Sequence, residues 1–369
     1  MTELVEGLAR EVGTLDELVL PKPNSLTTQD YGVRYSPEGA CLPFKLLLGS
    51  LMESMDLGAD MVGMITERGP CRLGMYSVVM RLILEDCGRD ALFFDLNNSQ
   101  IHEGYIKKFR RLFRGTHKRR LSLHRLGRGF LIGCYRLAAV ERLEMVRNSL
   151  MALEREPGSV KRCFEQCRRG VREARTLFGI RRALHRGIKA LRGVPVDRHR
   201  PTVQVVVTGE AYCTVDAFAN CDIERLLASM GAEPVRVLWQ TNYLLYPLRL
   251  DWLLKFPKHQ AIRASRPYLP EQLGGDVNSN VGFALMATRA GLDGMIHLKP
   301  FGCMMEFISE NILKAVSRDT GLPIISLSLD DMRGEERLAV RLEAFVDKLF
   351  ERRRRRKDQG RGHANRAST

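Results

Sequence analysis

Thr202-Val203-Gln204-Val205-Val206-Val207-Thr208-Gly209 is the stretch on which the fold turns. Its β-branched side chains are stiff at χ1 and suit a pleated strand better than a helix, and the run is too short for most helices. Downstream the chain alternates. Residues 222–230 predict a helix stopped by Gly231, and Pro234-Val235-Arg236-Val237-Leu238-Trp239 predicts a strand. A largely helical stretch follows, broken at Arg266-Pro267-Tyr268-Leu269-Pro270 and Gly274-Gly275-Asp276. Then come a helix over 281–290, the turn Gly291-Leu292-Asp293-Gly294, the strand Met295-Ile296-His297-Leu298 and a helix over 305–317. The strand Pro323-Ile324-Ile325-Ser326-Leu327-Ser328-Leu329 and a helix over 335–352 finish the pattern. Strands separated by helices predict a parallel, doubly wound sheet.

Working upstream, a second unit of the same kind is expected. Apolar residues recur at helical spacing over 44–52, Met61-Val62-Gly63-Met64-Ile65 reads as a buried strand, 75–87 as a helix closed by Gly88, and Ala91-Leu92-Phe93-Phe94-Asp95-Leu96 as the next strand. Residues 1–40, with Pro21-Lys22-Pro23-Asn24-Ser25, read as an irregular lead-in. From 105 to 191 the pattern is of long Arg-rich helices broken near Gly115, Gly127-Arg128-Gly129 and Pro157-Gly158. The expected organisation is an N-terminal α/β lobe with its lead-in over 1–104, an Arg-rich helical segment over 105–200, a C-terminal α/β lobe over 201–350, and a basic disordered tail over 351–369.

The net charge of +15 is unevenly spread. Residues 105–200 carry 27 Lys and Arg against 7 Asp and Glu, and 351–369 carry 8 against 2, so the remainder is acidic. A solvated helical face, a surface for an acidic partner or for phosphates, and a nucleic-acid surface are the three readings of the middle segment. Nucleic acid is disfavoured, because no recognisable module accompanies the charge and interleaved aromatics are few. No apolar run reaches the ~18 residues of a membrane span, so no membrane partner is expected. The acidic start Met1-Thr2-Glu3-Leu4-Val5-Glu6 lacks a secretory pattern, and a cytoplasmic location is expected. Nine cysteines without dense spacing fit free or metal-bound thiols better than a disulfide framework.

Three of those cysteines stand in short Pro- or Gly-bearing turns. They are Cys41 in Cys41-Leu42-Pro43-Phe44-Lys45, Cys71 in Gly69-Pro70-Cys71-Arg72-Leu73-Gly74, and Cys303 in Lys299-Pro300-Phe301-Gly302-Cys303-Met304-Met305-Glu306. Such turns leave a thiol free to face away from the packed elements. Two of them follow predicted strands, at the edge where open α/β sheets bind ligands. A metal or cluster site, a zinc site and three buried structural thiols are the alternatives, zinc being disfavoured for want of a fourth ligand at short spacing. Lys45 and Arg72 adjoin two of these thiols and could offset negative charge there, and Glu306 could stand behind the third or simply favour a helix N-terminus. Asp293 reads as a turn former, His297 as a satisfied core residue, and Cys163 and Cys167, four apart, as structural.

Taken together, the three cysteine turns with Gly58-Ala59-Asp60, Gly291-Leu292-Asp293-Gly294, Thr208-Gly209-Glu210, Asp216-Ala217-Phe218-Ala219-Asn220 and Arg341-Leu342-Glu343-Ala344-Phe345-Val346 resemble the 2-hydroxyacyl-CoA dehydratase family. The resemblance spans roughly residues 38–348, is weakest in the Arg-rich middle, and is nearest to the activase-related branch described as CoA-substrate-specific enzyme activases. It implies an α/β fold with two Rossmann-like parallel-sheet lobes and a helical middle. It also implies a [4Fe-4S] cluster on Cys41, Cys71 and Cys303, low-potential electron transfer, and reductive chemistry on a CoA-thioester substrate. A separate ATP-hydrolysing activator protein would be a partner, since no Gly-x-x-x-x-Gly-Lys-Ser/Thr loop occurs here, and a homo- or hetero-dimer would be the assembly. No catalytic residue is assigned. The alternative class is a non-enzymatic binding module for RNA or an acidic protein, using the Arg-rich segment.

Overall fold

A computed structural model describes residues 2–12, 18–64, 69–89, 91–95, 123–246, 251–253, 257–332 and 334–366 of the chain. The fold is mixed α/β. Strands β1 (Met61–Met64) and β2 (Leu92–Asp95) pair in parallel. Strands β3 (Val203–Gly209), β4 (Ala232–Arg236), β5 (Gly294–Pro300) and β6 (Ile324–Leu329) form an all-parallel sheet in the order β4-β3-β5-β6. The strand order reverses between β3 and β5, and it is at the carboxyl edge of such a reversal that open α/β sheets bind ligands.

The stretch 203–209 acts as its alternation requires. Val203, Val205 and Val207 face one side of the sheet with Ile296 and Leu298, while Val206 and Met295 face the other. The first side is covered by helices around Ile223, Leu227, Leu342, Phe345 and Leu349, the second by helices around Ala261, Val281, Ala284, Leu313 and Val316. Burial on both faces explains why the strand reads as a nearly continuous apolar run. Strand β4 is Ala232–Arg236 and not 234–239, so Pro234 lies at its centre. That is tolerated because β4 is an edge strand with one unpaired side.

Three corrections concern the ends and the lead-in. Residues 1–40 contain two helices, α1 (Thr2–Val12) and α2 (Leu26–Tyr35). Helix α1 packs on α5 (Leu123–Met151), which together with α6 (Ser159–Glu173) and α7 (Leu177–Arg192) makes the Arg-rich unit, so α1 belongs to that unit and not to the N-terminal lobe. An 11-residue helix is marginal alone and is fixed by distant contacts that local pattern does not reveal. Helix α2 starts at a reciprocal cap in which Thr28 N–H donates to Ser25 Oγ and Ser25 N–H to Thr28 Oγ1. The expected disordered tail is instead the end of a single helix over Glu335–Arg366, consistent with the high helix propensity of its Arg, Lys and Gln residues. The expected boundary at 104/105 and the break near Gly115 lie outside the described residues.

Helix α3 (Leu42–Asp56) joins the N-terminal unit to the sheet, with Leu42 and Leu46 entering the core beneath β3 and β5. It crosses α2 at two glycines: a Cβ on Gly49 would lie 1.8 Å from Thr28 O, and one on Gly32 2.0 Å from Lys45 O. Backbone cannot yield there as a flexible side chain can. Gly49→Ala is therefore expected to cost at least about 1–3 kcal/mol, read as a lowered thermal midpoint. An unchanged midpoint would mean that the helices part freely and do not fix the start of α3.

Candidate functional site

Each of the three turn cysteines occupies the residue just before a helix. Cys41 precedes α3, Cys71 precedes the 3₁₀ turn Arg72–Met75 that leads into α4 (Tyr76–Asp86), and Cys303 precedes the long helix Met304–Thr320. All three have extended backbone there, and none uses its side chain to cap the helix. The sequence dictates this locally, since Pro43 and the Pro70 and Pro300 turns start helices where the chain leaves an extended segment.

Arg72 stitches the turns together. Its Nη1 donates to Gly39 O at 2.8 Å and its Nη2 to Gly302 O, so one guanidinium beside Cys71 holds the segments that lead into Cys41 and Cys303. Gly302 turns with φ 75°, and a Cβ there would lie 3.8 Å from Cys41 Cα. Cys71 and Cys303 also border the same apolar cluster beneath the sheet. Residues 41, 71 and 303 thus meet at the carboxyl edge of β3 and β5. Cys41 is buried, and its Sγ lies 2.5 Å from the hydroxyl of Tyr76, which stands edge-on to Phe44. Burial pushes the Cys303 thiol up to about 12, with Glu306, Glu210 and Cys41 adding to the rise and the Glu306 backbone N–H opposing it.

Behind the thiols lies a buried polar network. Glu306 accepts from Asn280 Nδ2 at 2.8 Å and lies 2.6 Å from His297 Nε2, while His297 Nδ1 lies 3.0 Å from Ser326 Oγ across β5 and β6. Asn280 Oδ1 accepts from Thr208 Oγ1 at 2.6 Å and from Gly209 N–H at 3.2 Å. Glu210 follows β3 directly. Burial raises its carboxyl to about 7 against the Cys213 and Tyr212 N–H groups, with Asp276 and Glu306 contributing repulsion. Asp276 accepts from Tyr243 Oη at 2.9 Å and from Lys258 Nζ at 3.0 Å.

The residues named from the sequence divide accordingly. Arg72 organises the turns, and Glu306 lies behind Cys303, each as an adjoining group. Lys45 does not serve the site, because its Nζ is 2.5 Å from Asp331 and its charge is committed to that pair. His297 is a satisfied core residue, and Asp293 accepts from Gln204 N–H at 2.8 Å at a turn. Cys163 and Cys167 pack against the core of the Arg-rich unit. Sequence reading gave no role to Tyr76, Asp276, Tyr243 or Lys258, and named Glu210 only within Thr208-Gly209-Glu210. The polar run Asp276-Val277-Asn278-Ser279-Asn280 at the start of an apolar helix was the available signal for Asp276 and Asn280.

Among the described residues no three His, Cys, Asp or Glu side chains gather as they would around one metal ion. The donor set is three soft thiols, and none of the nine cysteines is bridged. A cubane spreads its thiolate ligands over separate irons, so three thiols arriving from different turns suit it better than a single ion. Soft thiols carried by separate turns are the kind of donor that iron-sulfur clusters use. Compared with protein-family models and with curated proteins, the chain matches none.

Proposed function

We propose that this chain is an iron-sulfur protein of low-potential electron transfer, with Cys41, Cys71 and Cys303 as the ligands of a [4Fe-4S] cluster between the N-terminal and C-terminal α/β units. The observation that carries the reading is the meeting of three helix-start thiols from distant parts of the chain, tied by Arg72. The resemblance to 2-hydroxyacyl-CoA dehydratase and activase-related proteins supports it, and with it the reading of the N-terminal unit as a second Rossmann-like lobe.

Such a cluster supplies single-electron transfer and, with three protein thiolates for four irons, one exchangeable iron position. The protein's own part is to hold and tune. With Cys41 held as a thiolate ligand, the Tyr76 hydroxyl 2.5 Å away would donate to its Sγ, withdraw electron density from it and favour the reduced state. Arg72 keeps the turns in register, and Glu210, titrating near neutrality, can hold or release a proton beside Cys303 and Tyr76. A CoA-thioester substrate and a separate ATP-hydrolysing activator belong to this proposal. Phe301, Met304 and Phe307 stand 65%, 51% and 60% exposed around Cys303, an apolar rim suited to an activator or a second subunit. No helix among the described residues is long and apolar enough to cross a membrane.

Purification under nitrogen followed by iron, sulfide and electron paramagnetic resonance analysis tests the reading. About four irons and four sulfides per chain, with a signal on reduction, are expected. A colourless, metal-free protein that resists reconstitution and binds RNA in a salt-sensitive way would overturn it in favour of the Arg-rich binding module.

A further inference from the structure

Arg136, on α5, is 1% exposed, and only one of its three nitrogens has a partner among the described residues: Nη2 donates to Ala174 O at 2.9 Å, while Nε and Nη1 have none. Arg10 on α1 likewise has a buried Nε without a partner. Both line a half-open pocket of about 340 Å³ together with Gly7, Glu11, Ile132 and Arg175. Nη1 of Arg136 lies beside Gly7, another residue of the lining, where a Cβ would come within 3.2 Å of that nitrogen.

The neighbouring acids Glu6 and Glu3 offset part of the Arg136 charge, but neither accepts a hydrogen bond from its Nε or Nη1. Glu6 is paired with Arg172 at 2.5 Å, Glu3 lies 3.8 Å from Arg168, and Glu11 lies 3.5 Å from Arg128. Two guanidinium groups side by side with unspent N–H donors are costly to bury unless an anion accepts from them. Donors arriving from α1, α5 and the α6–α7 connection suit a tetrahedral dianion, whose oxygens point several ways, better than a planar carboxylate. The pocket is also roomier than a bare ion needs.

We infer that the pocket between α1 and α5 is a binding site for a phosphate group, held by Arg136, Arg10 and Arg175. It lies in the Arg-rich unit and does not depend on the cysteine site.

Binding by the full chain is measured by calorimetry and by thermal midpoint with inorganic phosphate, with AMP, and with adenosine as the phosphate-free control. Phosphate or AMP is expected to raise the midpoint by about 4 °C near saturation, and adenosine to leave it unmoved. Tighter binding of AMP than of inorganic phosphate assigns a phosphate ester as ligand, and the reverse assigns the free ion; either supports the site. Arg136→Met and Arg10→Gln should each weaken binding at least about tenfold, a loss comparable to one charge-assisted contact. Arg10 is only half-buried, so its variant tests the site even if Arg136→Met fails to fold. Arg181→Gln/Arg182→Gln, on an exposed face of α7, should bind as the parent does. No shift with either phosphate compound, an equal shift with adenosine, or an equal loss in the α7 variant overturns the site.

Discussion

Replacing any one of Cys41, Cys71 or Cys303 by Ala is expected to abolish iron retention after anaerobic reconstitution, whereas Cys163→Ala retains it in full. Three protein thiolates are already one fewer than a cubane's usual complement, so a cluster left with two has little to hold it. The three positions are also not interchangeable with nearby cysteines. Cys213 is buried in the sheet core, and Cys163 and Cys167 lie in the Arg-rich unit. Each variant should keep its circular dichroism spectrum, because none of the three side chains caps its helix. Iron content falling in Cys163→Ala as it does in Cys303→Ala, or surviving in all three turn variants, would sink the assignment.

Glu224→Ala is expected to cost about 3–5 kcal/mol of stability at neutral pH, measured by chemical denaturation. Glu224, at the start of the helix Ile223–Ser229, accepts from Arg236 Nε and Nη2 at 2.7 Å each, from Asn148 Nδ2 at 2.8 Å and from Arg147 Nη2 at 2.5 Å. Arg236 closes strand β4 and also reaches Glu144 at 2.9 Å, so this cluster couples the Arg-rich helix α5 to the edge of the large sheet. Burial alone would raise the Glu224 carboxyl, but Arg236 and Arg147 together bring it down to about 2. Its folded value is thus below its unfolded one, near 4.5. The stabilisation is present above pH 4.5 and lost as the pH falls through about 2. The gap between parent and variant should narrow over that window. Removing both charges in Glu224→Ala/Arg236→Met should recover part of the loss, since the single variant leaves the buried Arg236 guanidinium with Glu144 as acid partner and with Nε and Nη2 stripped of their acceptor. A neutral-pH cost below about 1 kcal/mol would mark the cluster as a solvated surface pair.

How much of this was legible beforehand follows from the range of the forces involved. The run 203–209 and the alternation after it revealed a parallel sheet because strand stiffness and two-sided burial act on adjacent residues. The cysteine turns were visible for the same reason: Pro and Gly constrain their own backbone. Helix α1 was missed because what holds it, α5, begins more than a hundred residues later. Lys45 was placed beside a thiol because it is near Cys41 in sequence, yet one helical turn carries it to Asp331. Glu210 was underrated, since a carboxylate after a strand is ordinary until its surroundings are known to be dry and acidic.

By itself the sequence determined the strand–helix alternation of the large sheet and that three thiols sit at turns, both of which short-range sterics and apolar periodicity control. The tertiary structure alone decided the order β4-β3-β5-β6, the meeting of residues 41, 71 and 303 across Arg72, and the pairing of Arg236 with Glu224. Those features depend on which distant surfaces bury one another, and on where burial leaves a charge or a donor that only a residue from another part of the chain can satisfy.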